Sequence, residues 1–126
     1  MGPYSVAVEA NGFVYFSGQV AVTSDGGRAE DDTGVQTRQV MDNIGALLGD
    51  VGLGFDDIVK TTIFMADMAD YADINTVYAE YFSGVFPARS AIQAAALPGG
   101  FRVEIEIVAA RRSPSPDTPI SAGSGS

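Results

Sequence analysis

The chain has 126 residues with no cysteine, no histidine, no tryptophan and a single lysine, Lys60. Without cysteine and histidine there is no Ser-His or Cys-His nucleophile pair, no thiolate chemistry, no Cys/His zinc site and no haem ligation of the usual kinds. Basic residues are scarce as well, 7 against 16 acidic ones, for a formal net charge of −9. A mean field of that sign repels phosphate backbones and anionic membranes, so nucleic acid and membrane are not expected partners. No apolar run approaches the roughly 18 to 20 residues of a membrane span, and the first residues lack the charged-then-apolar plan of a signal peptide. Met1-Gly2 does not open a myristoylation motif, because Val6 stands where Ser or Thr is needed. The expected compartment is the cytoplasm, with which the lack of cysteine agrees.

What is present is enough apolar material, 46% of the residues, for one small domain. That domain is expected over residues 1–112. Residues 113–126 are Ser, Pro and Gly with single Ala, Asp, Thr and Ile residues among them, a composition that predicts a disordered tail.

Ser5 to Val8 and Phe13 to Ser17 are short apolar-rich runs separated by Asn11-Gly12, a pair that readily supplies the positive φ angles of a hairpin turn. After a polar, Gly-rich excursion from Thr23 to Gly34, Val40, Met41, Ile44, Leu47, Leu48 and Val51 recur at spacings of 3 and 4, which predicts an amphipathic helix. Asp31, Asp32 or Thr33 can cap its start and Gly52 can end it. Ile58 to Met65 reads as a strand. A second helix is marked by Tyr71, Ile74, Tyr78, Tyr81 and Phe82, with Asp67 or Asp70 as its cap. Strands at Arg89 to Leu97 and Phe101 to Ala110 follow, joined by Pro98-Gly99-Gly100.

The order β-β-α-β-α-β-β predicts an α+β fold, a mixed sheet with two helices packed on one face. In the fourth of these strands Ala91, Gln93, Ala95 and Leu97 share one face, and Ile92, Ala94 and Ala96 share the other. Two helices cannot bury both sides of such a sheet. A homo-oligomer packing sheet against sheet is therefore expected, with any pocket where subunits meet.

Four groups could carry chemistry. Arg89, in Phe86-Pro87-Ala88-Arg89-Ser90, begins a strand among mostly apolar neighbours. It reads either as a structural ion-pair member or as a planar guanidinium gripping a small-molecule carboxylate through two parallel hydrogen bonds. Glu104 and Glu106 share one face of a strand whose other face is Val103, Ile105 and Ile107. They are either the solvated side of that strand or, lining a pocket between subunits, a source of a general base that needs no histidine. Lys60 is the sole candidate for Schiff-base chemistry, against the plainer reading of a strand lysine facing solvent. Asp56-Asp57 and Glu30-Asp31-Asp32 precede structural elements and read as caps and solvated loop residues, so no metal site is assigned.

Taken together, several segments resemble the RidA (YjgF) family of enamine/imine deaminases. They are Gly2-Pro3-Tyr4-Ser5, Ser17-Gly18-Gln19, Ile74-Asn75-Thr76-Val77-Tyr78 with Tyr81-Phe82, Pro87-Ala88-Arg89-Ser90, Leu97-Pro98 and Val103-Glu104-Ile105-Glu106. The match runs in order from Gly2 to about Arg112. It implies a chorismate-mutase-like α+β fold and a homotrimer with one site at each subunit interface. It also implies cofactor-free hydrolysis of 2-imino acids, such as 2-iminobutanoate and 2-iminopropanoate, to 2-oxo acids and ammonia. By position, Arg89 would bind the substrate carboxylate, Glu104 would position the attacking water, and Tyr4, Ser17 and Asn75 would shape and hydrogen-bond the pocket.

Three features depart from the family pattern. Ala91 stands where the archetypal deaminases carry cysteine, leaving only its backbone groups to serve a substrate; Val6 replaces a common glutamine; and the connection from Phe82 to Phe86 is short. A broad 2-imino acid scavenger, a deaminase dedicated to one pathway and a non-catalytic trimer binding small carboxylates all fit these residues. A ribonuclease fits poorly, lacking histidine for acid-base work and carrying a charge of −9.

Overall fold

The structure, a computed structural model, describes residues 2–112; the expectation of a disordered tail concerns residues outside this range. Seven principal elements follow the chain: β1 (Ala7–Ala10), β2 (Phe13–Gln19), α1 (Thr33–Asp50), β3 (Ile58–Met65), α2 (Tyr71–Ala79), β4 (Ala88–Gln93) and β5 (Val103–Ala110). The strands form one sheet in the order β1-β2-β5-β3-β4. Only β3 and β4 run parallel, joined by the crossover through α2, and the other pairs are antiparallel. This is a mixed sheet with helices on one side, the α+β class expected.

Local chemistry explains where the elements begin and end. Asn11 (φ 54°) and Gly12 (φ 83°) both occupy the left-handed region, and Ala10 pairs with Phe13 across them, a two-residue hairpin loop that suits strand twist. Asp32 caps α1 by accepting a hydrogen bond from the Val35 amide at 2.9 Å. Beyond the helix, Gly52 turns the chain at φ 77° and the Leu53 amide donates back to the Leu48 carbonyl at 2.8 Å.

Several boundaries differ from those read in the sequence. The first strand is shifted to Ala7–Ala10, and β4 stops at Gln93 instead of Leu97. Parallel pairing with β3 ends where Met65 meets Gln93, so Ala95 and Leu97 lie beyond the ladder. The last strand starts at Val103 because Pro98–Gly100 and the following residues form a turn. Helix α2 is only nine residues long; Tyr81 and Phe82 lie past its end. Asp67, not Asp70, makes the capping bond, to the Ala69 amide at 2.9 Å, while Asp70 faces Arg102 at 3.8 Å.

The core lies between the sheet and the helices. Val40, Met41, Ile44 and Leu48 of α1 and Ile74 and Tyr78 of α2 pack on Val14, Phe16, Ile63, Met65, Val103, Ile105, Ile107 and Ala109. These strand residues alternate with others along each strand and so emerge on one face. An aromatic cluster of Phe55, Tyr78, Tyr81, Phe82 and Phe86, with ring centroids 4.9 to 5.9 Å apart, secures the far end of α2. The opposite face carries Val8, Phe13, Tyr15 and Ile92, each at least 40% exposed, and no helix of the described residues covers it.

Ile63 is 1% exposed at the centre of the sheet, paired with Ile105 on one side and Ala91 on the other. Ile63→Ala should therefore lower unfolding free energy by about 2–5 kcal/mol, and loss of the Asp32 cap in Asp32→Ala by only about 1 kcal/mol, measured by chemical denaturation.

Candidate functional site

Strand pairing decides which candidate side chains can meet. Arg89 in β4 pairs with Thr61 in β3, which pairs with Ile107 in β5. Thr61 and Ile107 are buried beneath the helices, so the Arg89 side chain emerges on the helix-covered face. Glu104 pairs with Phe64, which pairs with Ile92, and this row faces the open side. Arg89 and Glu104 thus project from opposite faces of one sheet.

On the covered side Arg89 is built into α2. Its Nη1 donates to Asn75 Oδ1 at 2.7 Å and its Nη2 donates to the Tyr71 hydroxyl at 3.0 Å. The guanidinium carbon lies 5.2 Å from the Tyr78 ring centroid and 5.6 Å from that of Tyr71, within cation–π range. Tyr71, Asn75 and Tyr78 stand at helical spacings of 4 and 3 and share one stripe of α2. Tyr78 is in turn fixed by a hydrogen bond of 2.9 Å between its hydroxyl and Thr61 Oγ1. Burial pushes its phenol up, against the Thr61 bond and the Arg89 charge, which favour the phenolate. Asn75, assigned from the resemblance, is thus beside Arg89, and Ala91 lies two residues along β4 on the same face. The plain ion-pair reading of Arg89 did not anticipate these aromatic and amide neighbours. In the sequence Tyr71 and Tyr78 mark one face of the second helix, and only their spacing from Asn75 points to a part in the arginine's seat.

On the open side, Glu104 is half-buried and packs against Gly18. A Cβ at Gly18 would run into the Glu104 carboxylate and lie 2.8 Å from its Cδ. Burial, with a smaller contribution from the Glu106 charge, raises the Glu104 carboxyl above the ordinary glutamate range. Ser17 is half-buried beside this glycine and its amide donates to the Val6 carbonyl at 2.8 Å. Tyr4, in the segment before β1, is 61% exposed. The structure thus groups Arg89, Asn75 and Ala91 on one face and sets Glu104 with Gly18, near Ser17, on the other.

Of the remaining candidates, Lys60, Asp31, Asp32 and Asp57 have structural partners. Lys60 lies half-buried on the open face and donates to Ser90 Oγ at 3.0 Å. Asp32 caps α1, Asp31 binds Arg102 at 2.8 Å, and Asp57 accepts from the Gly54 amide at 2.9 Å and from Arg112 at 3.0 Å. A shallow groove between α1 and α2, lined by Asp32, Val35, Arg38, Asp42 and Val77 among others, contains none of the candidate residues except the helix cap Asp32.

Fold and side-chain geometry together define a small one-sheet, two-helix α+β domain that presents an oriented guanidinium at the sheet's parallel edge. Residues 1–111 match the family model described as Endoribonuclease L-PSP, and the chain belongs to this family, the RidA (YjgF) family. It is 44% identical over 110 residues to the 2-iminobutanoate/2-iminopropanoate deaminase of Mus musculus, covering 86% of this chain and 82% of that protein. It is 39% identical over 115 residues to the protein of the same name in Escherichia coli K12, covering 89% of this chain and 90% of that one. Among solved structures, YyfA of the Rid protein family from Yersinia pestis superposes with a TM-score of 0.85 at 47% identity, over 88% of this chain and 90% of that one. E. coli TdcF with bound serine superposes with a TM-score of 0.84 at 36% identity, over 89% and 91% of the two chains. Among the described residues no helix is long and apolar enough to cross a membrane.

The close approach at Gly18 gives a direct check on Glu104. Gly18→Ala should displace the flexible end of that side chain at small cost to folding, so the melting temperature should fall by no more than about 4–8 °C, the shift expected for roughly 1 kcal/mol in a domain of this size. Turnover should fall much further, read as kcat in a steady-state assay.

Proposed function

We propose that this protein is a 2-imino acid deaminase, hydrolysing compounds such as 2-iminobutanoate and 2-iminopropanoate to 2-oxo acids and ammonia, in sites formed between copies of the chain in a homotrimer. The observation that carries this reading is the seating of Arg89. A guanidinium held by Asn75 and Tyr71 over two aromatic rings is oriented in advance for a planar carboxylate. Relatives at 39 to 44% identity bearing the deaminase name support the same chemistry.

In this reading Arg89 fixes the substrate carboxylate and Glu104 accepts a proton from a water molecule as its oxygen attacks the imine carbon. The C=N electron pair moves to nitrogen, which takes up a proton. Glu104 then takes the hydroxyl proton of the resulting carbinolamine and passes it to the amino nitrogen, so that the C–N bond breaks as the C=O bond forms and neutral ammonia leaves. Asn75 steadies Arg89, while Tyr4 and Ser17 contribute to the pocket wall and Ala91 offers its backbone groups. Because Arg89 and Glu104 project from opposite faces of one sheet, each site takes Arg89 from one copy and Glu104 from the next. The apolar residues of the open face supply the surface through which copies join. Cytoplasmic location fits this chemistry, since reactive imino acids are best removed where they arise. The ribonuclease activity in the family's description suits this chain less well, given its charge of −9 and lack of histidine.

The decisive experiment generates 2-iminobutanoate in situ and follows its decay. Arg89→Lys should lose most of the activity and of 2-oxo acid binding, about ten- to a hundredfold, because lysine keeps the charge and loses the two-pronged geometry. Glu104→Gln should lower kcat with less effect on binding. Each variant alone should be strongly impaired, yet an equal mixture with exchanging subunits should recover to about one quarter of wild-type activity, since random assembly leaves that share of interfaces with both residues intact. No recovery on mixing would place both residues in the same copy's site or outside the site. Binding of 2-oxo acids without turnover would leave a carboxylate-binding protein.

The pH dependence follows from Glu104. Only its ionised form accepts a proton, so kcat/KM should fall as the pH drops through a value above the ordinary glutamate range. Glu106→Gln removes the neighbouring like charge and should move this acid limb to lower pH.

A further inference from the structure

We propose that Tyr71 is a positioning residue for Arg89, and that its hydroxyl sets the affinity of the site for the substrate carboxylate. This rests on the deaminase reading above. Arginine has a long side chain with many rotamers, and a guanidinium gripped at one nitrogen alone can still swing about that contact. Asn75 holds Nη1 at 2.7 Å; the Tyr71 hydroxyl holds Nη2 at 3.0 Å. Two acceptors on two different nitrogens fix the plane of the group as well as its position. The Tyr71 ring centroid lies 5.6 Å from the guanidinium carbon and that of Tyr78 5.2 Å.

The placement of Tyr71 is itself well determined. It is the first residue of α2, one turn before Asn75, and the 3₁₀ turn Met68–Asp70 leads directly into it. That turn is tied down twice: Asp67 accepts from the Ala69 amide at 2.9 Å, and Gln93, at the end of β4, accepts from the Met68 amide at 2.8 Å. The strand that carries Arg89 therefore also anchors the start of the helix that carries Tyr71. Tyr71 is half-buried, so its hydroxyl is only partly reached by water and its bond to a charged donor retains strength.

The test is Tyr71→Phe, which keeps the ring and removes the acceptor. KM for 2-iminobutanoate and Kd for 2-oxobutanoate should each rise about three- to tenfold with kcat within about twofold of wild type, because the Tyr71 bond to the charged group is lost while the Asn75 bond remains. In an Arg89→Lys background the same substitution should have no further effect. Arginine side-chain NMR supplies a readout that needs no activity: the Arg89 Nε–Hε order parameter should drop in Tyr71→Phe. An unchanged order parameter overturns the proposal, as does an unchanged KM in an active enzyme or an equal effect in both backgrounds. If the wild type neither turns over 2-iminobutanoate nor binds 2-oxobutanoate, the deaminase reading and the affinity claim fall together, while a lowered order parameter would still uphold the positioning.

Discussion

The two-residue alternation of side chains across a β-sheet governs the rest of this molecule. Because Arg89 shares a row with Thr61 and Ile107, it joins the face that the helices cover. Because Glu104 shares a row with Phe64 and Ile92, it joins the face they leave open. A shift of one residue in either pairing would exchange these sides and also turn the apolar rows of β3 and β5 away from the helices. The burial of Ile63, Val103, Ile105 and Ile107 thus holds the candidate residues where they are.

Helix α2 converts that register into a site. Ile74, Val77 and Tyr78 face the core, and the bond between Tyr78 and Thr61 locks the helix to the strand beside Arg89. Asn75 and Tyr71 fall on the adjoining part of the same helical surface and so point at the guanidinium. The two sides of the sheet then differ electrically. On one side a guanidinium rests on aromatic rings, and on the other a half-buried glutamate next to another glutamate is drawn toward its neutral form. Such a division suits a reaction that needs a fixed cation for binding and a group able to exchange a proton.

The similarity to Rid-family structures extends over nearly all of the described chain, with TM-scores of 0.84 to 0.85. Within that frame Ala91 sits two positions from Arg89 on the same face with only a methyl group, and the chain has no cysteine, so no thiol of this chain takes part in whatever binds there.

Much of the architecture could be read from residue order alone. The hairpin at Asn11-Gly12, the capped helix over Thr33–Asp50, the strand Ile58–Met65 and the alternation from Val103 to Ile107 each depend on neighbours a few residues away, and local sequence carries that information. Likewise Arg89, Glu104 and Asn75 could be named as candidates from their motifs. The sequence could not say that β4 ends at Gln93, since that is set by the length of its pairing with β3. Nor could it show that Arg89 lies against Tyr71, Asn75 and Tyr78, or that Glu104 approaches Gly18 from the other side of the sheet. Those relations join residues far apart in the chain, and they exist only once the strands have paired in register and the crossover has laid α2 across them. Residue types set the available chemistry, while the register of the sheet decided which groups can act on the same molecule.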